Sequence, residues 1–440
     1  MKVLYSLLLM IVLPLMAWGS DVFTSQTVMN TGVDVAGCFM RRCPDVGAKS
    51  YVGGKERNSK IWTRSVFYEG LLNMYREEQR PEWLKYTLDW AEFHNWVSSE
   101  DNEARAQNAD YQCVGQSYLQ LYQMEPEDKR RMEHIRMRMD EMMATGRTDY
   151  WTWIDAIQMS MPVLALLGDI TGDGEYHDYM YRSYIYTRDY QGGSKKGGGQ
   201  PLFNESTGLW YRDYQFDPPY RDLVEHDKDC YWSRGNGWVY MALARVLQFT
   251  SEDEKHRQEY IDDFVAMSRA LKDCQREDGS WNVSLAAPSN FGQPGSEGPE
   301  MTGSSLFVGG MAYGVNTGLL DRETYLPVIE KGWEAMHNAV HADGYVGYMQ
   351  GTGSKPEDGG VITYNSEPDF EDFGFGCWLW GAAEVHSLLV ALEGEESGVN
   401  NVAADVTLPA DDAYYDLYGR RVENPAAGQL YIHNRRLVVK

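Results

Sequence analysis

The run Trp62–Trp96, WTRSVFYEGLLNMYREEQRPEWLKYTLDWAEFHNW, decides the fold class. Its first half carries Trp62, Val66, Phe67, Leu71 and Met74 at three- and four-residue intervals, and its second half repeats the spacing with Trp83, Tyr86, Trp90 and Phe93. Apolar side chains at that period line one face of a helix. Arg80-Pro81 interrupts the pattern, because the residue before a proline is driven out of the helical region. The stretch therefore predicts two antiparallel helices, over Trp62–Arg76 and Glu82–Trp96.

The same layout recurs through Tyr111–Met124, Lys129–Met143, Pro162–Leu167, Tyr176–Tyr186, Trp232–Phe249, Lys255–Gln275, Ser304–Thr317, Tyr325–Val340 and Phe373–Leu392. With a first short helix expected within Asp21–Lys60 and few β-rich runs, the pattern predicts paired helices repeated several times. Gly172-Asp173-Gly174, Asp278-Gly279 and Asp343-Gly344 punctuate the pairs with glycine for positive φ and aspartate for local backbone bonds. A ring of hairpins gathers one set of loops at one end. The long linkers Gln191–Tyr231 and Val283–Thr302 are the expected rim of a pocket there. Past Gly394 the sequence changes to apolar–polar alternation over Asp405–Lys440, with Asn424-Pro425 and Gly428 as turn signals, which predicts a small β appendage behind a flexible joint.

Met1–Ser20 reads as a secretory leader: Lys2, the apolar run Val3–Met16, then small residues at Ala17 and Gly19. The expected organisation is a leader over 1–20, a helical domain over 21–394 and a joint with a β-rich tail over 395–440. The mature chain is expected to be exported, periplasmic or extracellular, and to lack a membrane span. Cys38 and Cys43 form the most plausible local disulfide, whereas Cys113, Cys230, Cys274 and Cys377 read as buried small hydrophobes. No spacing points to zinc, and nothing points to a metal or organic cofactor.

The formal net charge of −25, from 65 acidic and 40 basic residues, opposes binding to nucleic acid or an anionic membrane. An anionic small substrate needs a local cation. The 14 tryptophans and 30 tyrosines give more ring surface than a core requires, as in proteins that hold sugars.

Four clusters could carry chemistry. In Tyr150–Pro162, Asp155 sits among Trp151, Trp153, Ile154 and Ile157, where its charged form is disfavoured and a proton is retained near neutral pH; the alternative is a helix cap or a solvent-facing side chain. Asp110, in Asn108-Ala109-Asp110-Tyr111, is either an N-cap or a second pocket acid. Trp232-Ser233-Arg234-Gly235-Asn236-Gly237-Trp238 flanks a cation with two indoles and two glycines, though Arg234 could equally pair an acid with both rings in the core. Thr302-Gly303-Ser304-Ser305 offers hydroxyls and amides at a helix start, suiting a carboxylate, or simply caps the helix.

Trp153 and Asp155 with Gln158, Met159 and Pro162, the W-S-R-G-N-G-W of Trp232–Trp238, and the T-G-S-S of Thr302–Ser305 together resemble glycoside hydrolase family 105, unsaturated uronyl hydrolases close to the unsaturated glucuronyl hydrolases of family 88. The resemblance spans roughly Trp62 to Leu392. It implies an all-α fold, an (α/α)6 barrel, acting on the 4,5-unsaturated uronic acid that polysaccharide lyases leave at a chain end. It also implies hydration of the C4=C5 enol ether by one carboxylic acid, unlike the spaced carboxylate pair of ordinary glycosidases. Asp155 would then be the acid and base, with Asp110 orienting substrate or raising the Asp155 pKa. Trp153, Trp232, Trp238 and, more loosely, Trp62 would wall the sugar, while Arg234, Thr302 and Ser304 would meet the uronate or the adjoining sugar.

One departure stands out. Thr207-Gly208-Leu209-Trp210-Tyr211-Arg212-Asp213 places Tyr211 or Arg212 where rhamnogalacturonan-type relatives carry histidine, with His226 a nearby substitute. The uronate and leaving-sugar preference stays open, including galacturonyl against glucuronyl. Two other classes compete: an (α/α)6-barrel hydrolase of saturated glycans, and a non-catalytic glycan-binding protein.

Overall fold

The computed structural model describes residues 20–52, 55–98, 107–221, 228–286, 299–358, 362–366 and 372–396, with strands at 414–415, 421–422, 430–433 and 436–439. The expected leader and His226 lie outside the described residues.

The helices are α1 (Ser25–Arg42), α2 (Trp62–Glu77), α3 (Pro81–Phe93), the short α4 (Ala109–Gln112), α5 (Val114–Met124), α6 (Arg130–Ala144), α7 (Asp155–Thr171), α8 (Gly174–Tyr190), α9 (Ser233–Phe249), α10 (Arg257–Asp273), α11 (Met301–Asn316), α12 (Arg322–Asn338) and α13 (Asp372–Glu396). Around the axis α2, α5, α7, α9, α11 and α13 each pack on the next, and α13 returns to α2. Outside them α3 covers α2, α6 covers α5, α8 covers α7, α10 covers α9 and α12 covers α11, while α1 covers α13. This is an (α/α)6 barrel, closed by pairing the first helix of the chain with the last.

Burial separates the two layers. In α9 every residue from Ser233 to Leu247 is buried, as is every residue of α11 from Met301 to Val315. In α12 only the stripe Tyr325, Ile329, Gly332, Trp333 and Met336 is buried. A helix apolar all round belongs inside and a striped one outside. The helix α13 is long and apolar enough to cross a membrane by length and composition, yet 72% of its apolar window is buried within the protein. Its packing against α2 is so close that a Cβ on Gly70 would collide with the Gly376 carbonyl, and one on Gly376 with the Val66 carbonyl.

Three expectations are corrected. The first helix is not short: α1 runs 18 residues, capped by Thr24, whose hydroxyl accepts from Thr27 N–H. Cys38 lies inside that helix and Cys43 just past its end, as the C-cap; among the described residues no disulfide joins any of the six cysteines. The helix expected from Pro162 starts at Asp155, with Pro162 inside it. Proline cannot bond the carbonyl four residues back, and here the Gln116 side-chain amide donates to the Gln158 carbonyl instead, at 2.8 Å.

The acid–glycine turns behave as read: Gly172, Gly279 and Gly344 have φ of 69°, 87° and 88°. Two hairpins interrupt the helices, β1 (Ser50–Val52) with β2 (Lys55–Arg57) and β3 (Phe203–Asn204) with β4 (Leu209–Trp210). The tail forms an antiparallel sheet in the order β6-β5-β7-β8 from Tyr414–Tyr415 (β5), Arg421–Val422 (β6), Leu430–His433 (β7) and Arg436–Val439 (β8).

Candidate active site

Asp155 is the first residue of α7 and Asp110 the second of α4, so both carboxyls stand at helix starts on neighbouring elements. Asp110 is not the cap. Asn108 fills that role, its Oδ1 accepting the Asp110 N–H at 2.8 Å, which leaves the Asp110 side chain to the cleft. Burial, reinforced by the charge of Asp155, pushes the Asp110 carboxyl up from 3.8 to about 6, against the opposing pull of Arg212 and Arg57.

The surroundings of Asp155 differ from the apolar wall its sequence neighbours suggest. Trp151, Ile154 and Ile157 are buried around it, but Arg212 Nε approaches its Oδ2 at 3.0 Å. The guanidinium also donates through Nη1 to Asp213 Oδ2 at 2.6 Å. Asp155 thus raises Asp110, and an arginine holds Asp155. Local sequence hid this partner because Arg212 arrives from the far side of a hairpin.

That hairpin is fixed from two sides. Ile154 N–H donates to the Arg212 carbonyl at 3.0 Å, stitching the hairpin exit to the entry of α7. Asn236 closes a two-bond clamp on Trp210, accepting its N–H at 2.8 Å and donating to its carbonyl at 3.0 Å. Asn236 is the fifth residue of the W-S-R-G-N-G-W stretch, which thus positions Arg212 from behind.

The rest of that stretch is scaffold. Arg234 is buried, donates through its two Nη atoms to the carbonyls of Gln350 and Gly351 at 2.7 Å each, and lies over the rings of Trp232 and Phe373. Trp232 and Trp238 expose 1% and 0%, leaving no open face for a sugar. Trp62 and Trp153 keep partly open rings, with Trp62 held edge-on by Trp238. Tyr211 is buried, stacked on Tyr231 with its hydroxyl on Asp229.

The amides expected to be open at Thr302–Ser305 are already bonded. Glu300 caps α11, taking Thr302 N–H at 2.9 Å and Thr302 Oγ1 at 2.5 Å on one oxygen and Gly303 N–H at 2.7 Å on the other. Ser304 Oγ donates to the Glu300 carbonyl and accepts from Trp281 N–H. The protein supplies its own carboxylate where a substrate's was expected.

Beneath the acids lies a buried polar knot. Glu69 of α2 accepts from Gln158 Nε2 at 2.7 Å and from Cys113 Sγ at 3.1 Å. Gln158 follows Asp155 by one turn, and Cys113 follows Asp110 by three residues, so one carboxyl ties together the two helix starts. Burial pushes Glu69 up to about 7.

Beside the acid pair a cavity of about 540 Å³ opens between Asn108, the segment 147–153 and the segment 186–197, with Trp153, Arg147, Lys196 and Tyr186 on its walls. It is roomy enough for a sugar unit, and Trp153 on its wall precedes Asp155 by two residues.

A family model described as Glycosyl Hydrolase Family 88 matches residues 32–389. The chain is 30% identical over 344 residues, 74% of its length and 84% of the relative's, to an unsaturated 3S-rhamnoglycuronyl hydrolase of Formosa agariphila. A solved family 88 glycosyl hydrolase from Bacteroides vulgatus superposes with a TM-score of 0.72 at 29% identity, over 83% of this chain and all of that one. Another solved structure, described as a polysaccharide lyase, gives a TM-score of 0.72 at 30% identity over 84% of this chain and 98% of its own.

Proposed function

The chain belongs to glycosyl hydrolase family 88, and from that premise we propose that it removes a terminal 4,5-unsaturated uronic acid from oligosaccharides by hydrating the C4=C5 enol ether. The observation that carries the reading is the pair Asp110 and Asp155, one carboxyl raised to about 6 and the other held by Arg212. An enol ether needs one proton delivered to carbon, then one water activated; two neighbouring carboxyls, one of them raised to about 6, supply an acid and a base. Asp155 protonates C4, the ring oxygen stabilises the cation at C5, and water adds there as the carboxylate takes its proton. The resulting hemiketal opens and releases the remaining sugar.

The Formosa relative's name makes a uronyl unit on rhamnose the first substrate to try. Such chain ends arise by β-elimination, so a polysaccharide lyase acts upstream, and the leader read in Met1–Ser20 supports an exported location for this step. The likeness to a chain described as a lyase gives a second reading, elimination in place of hydration.

Ultraviolet absorbance separates the two, because the conjugated uronate absorbs and its saturated precursor does not. Incubation with unsaturated uronyl oligosaccharides should bleach the chromophore, and Asp155→Asn should bind the same oligosaccharides without bleaching them. Absorbance gained on an uncleaved uronate polysaccharide would establish the lyase instead. No change with either substrate, from folded protein, rules out both.

A further inference from the structure

Proceeding from that reading, we infer that Arg212 is the receptor for the substrate's uronate carboxylate, exchanging its ion pair with Asp155 for one with the substrate. Arg212 Nε is on Asp155 at 3.0 Å and Nη1 on Asp213 at 2.6 Å, while Nη2 has no hydrogen-bond partner among the described residues. The Arg212 side chain is one-fifth exposed, against 8% for Asp155 and 5% for Asp213. Release of Asp155 would add Nε to the open Nη2, and that two-donor edge matches the two-oxygen geometry of a carboxylate.

The two anion-binding groups the sequence pointed to are already engaged. Arg234 is spent on the carbonyls of Gln350 and Gly351, and the helix start at Thr302 is filled by Glu300. In a chain of net charge −25 an anionic ligand needs a cation fixed in place. Arg212 is fixed by its backbone, through Ile154 and through the Asn236 clamp on Trp210, so the guanidinium can change partner without the loop moving.

Charge counting adds a consequence. The groups facing this guanidinium are Asp213 from its own loop, Asp155 from α7 and Asp110 from α4, with Arg57 of β2 reaching Asp110. A fourth carboxylate entering among three is strongly opposed unless one of them is neutral. Asp110, already raised to about 6, is placed to take up the compensating proton. Once the substrate holds Arg212, Asp155 loses its counter-charge and shares that proton, which it delivers to C4. No net charge is created, and the proton lost to carbon is regained from the attacking water.

The test compares an unsaturated uronyl disaccharide as free acid with its methyl ester, on wild type and Arg212→Gln. Both substrates carry the same enol ether, and their difference in intrinsic reactivity cancels when the acid-to-ester ratio of kcat/KM is compared between proteins. Charge-assisted pairing predicts that Arg212→Gln lowers this ratio about 10- to 100-fold, chiefly through KM of the acid. A purely structural role would depress both substrates equally and leave the ratio unchanged, overturning the assignment. Bleaching of the acid by wild type tests the underlying reaction separately; if wild type bleaches neither substrate, reaction and receptor fall together. Should Arg212→Gln not fold, competition in wild type and Arg212→Lys decides. A saturated uronic acid must inhibit wild type more strongly than its methyl ester, with a smaller gap in the lysine variant; equal inhibition by acid and ester overturns the proposal.

Discussion

Replacing Glu69 with glutamine should change how stability depends on pH, by an amount set by the burial of one carboxyl. Glu69 is fully buried, accepts from Gln158 and Cys113, and lies near the charge of Arg245. Those three contacts favour its ionised form, yet burial outweighs them and raises it from 4.5 to about 7. A tenfold change in proton affinity is worth about 1.4 kcal/mol, so a rise from 4.5 to about 7 is worth about 3 kcal/mol. The sign follows from proton binding. Folding retains the proton at pH values where the unfolded chain has released it, so the contribution is full below 4.5 and is lost as the pH climbs through about 7. Glutamine mimics the protonated acid at every pH. Wild type should therefore lose about 3 kcal/mol between acid and mildly alkaline solution that Glu69→Gln does not lose, the variant gaining relative to wild type throughout that window. Urea denaturation followed by tryptophan fluorescence at a series of pH values gives the comparison. Parallel curves for the two proteins would refute the reasoning and show Glu69 ionised in the fold.

Two further outcomes follow from the same geometry. If neutral Asp110 admits the uronate, KM for the free acid should climb as the pH passes about 6, and Asp110→Asn, neutral at all pH values, should flatten that climb even where kcat falls; steady-state kinetics across the pH range checks it. Gly70→Ala should destabilise the barrel by about 1–3 kcal/mol in thermal or urea unfolding, because its methyl group would push α2 off the Gly376 carbonyl at the seam that closes the ring.

The helical plan was legible because burial writes itself into local periodicity. The apolar intervals of Trp62–Trp96 and their repeats located inner and outer helices, and the acid–glycine pairs located turns whose glycines do take positive φ. The start of α7 was misplaced because Pro162 breaks helices by a local rule. The compensating bond comes from Gln116, 42 positions away, and no window of sequence contains it. The same limit hid the partner of Asp155. A carboxylate between indoles reads as isolated until a hairpin 57 positions on delivers a guanidinium to it.

The W-S-R-G-N-G-W stretch shows why a specific motif and a substrate contact are different things. Its tryptophans are closed to solvent, its arginine is bonded to two backbone carbonyls, and its asparagine grips the strand end that precedes Arg212. Each member does something that few residue types can do: a planar five-donor cation bridging two carbonyls, an amide matching both groups of a peptide unit, glycines where a helix start meets its neighbours. Such demands hold a sequence pattern fixed as firmly as contact with a ligand does. The residue left facing the acids is Arg212, which with Tyr211 is one of the two positions where the resemblance to rhamnogalacturonan-type relatives would place a histidine. A histidine there could carry a charge only at low pH, whereas arginine is charged throughout. With a permanently charged cation, the pH response of the site rests with Asp110, whose titration should be visible in the kinetics.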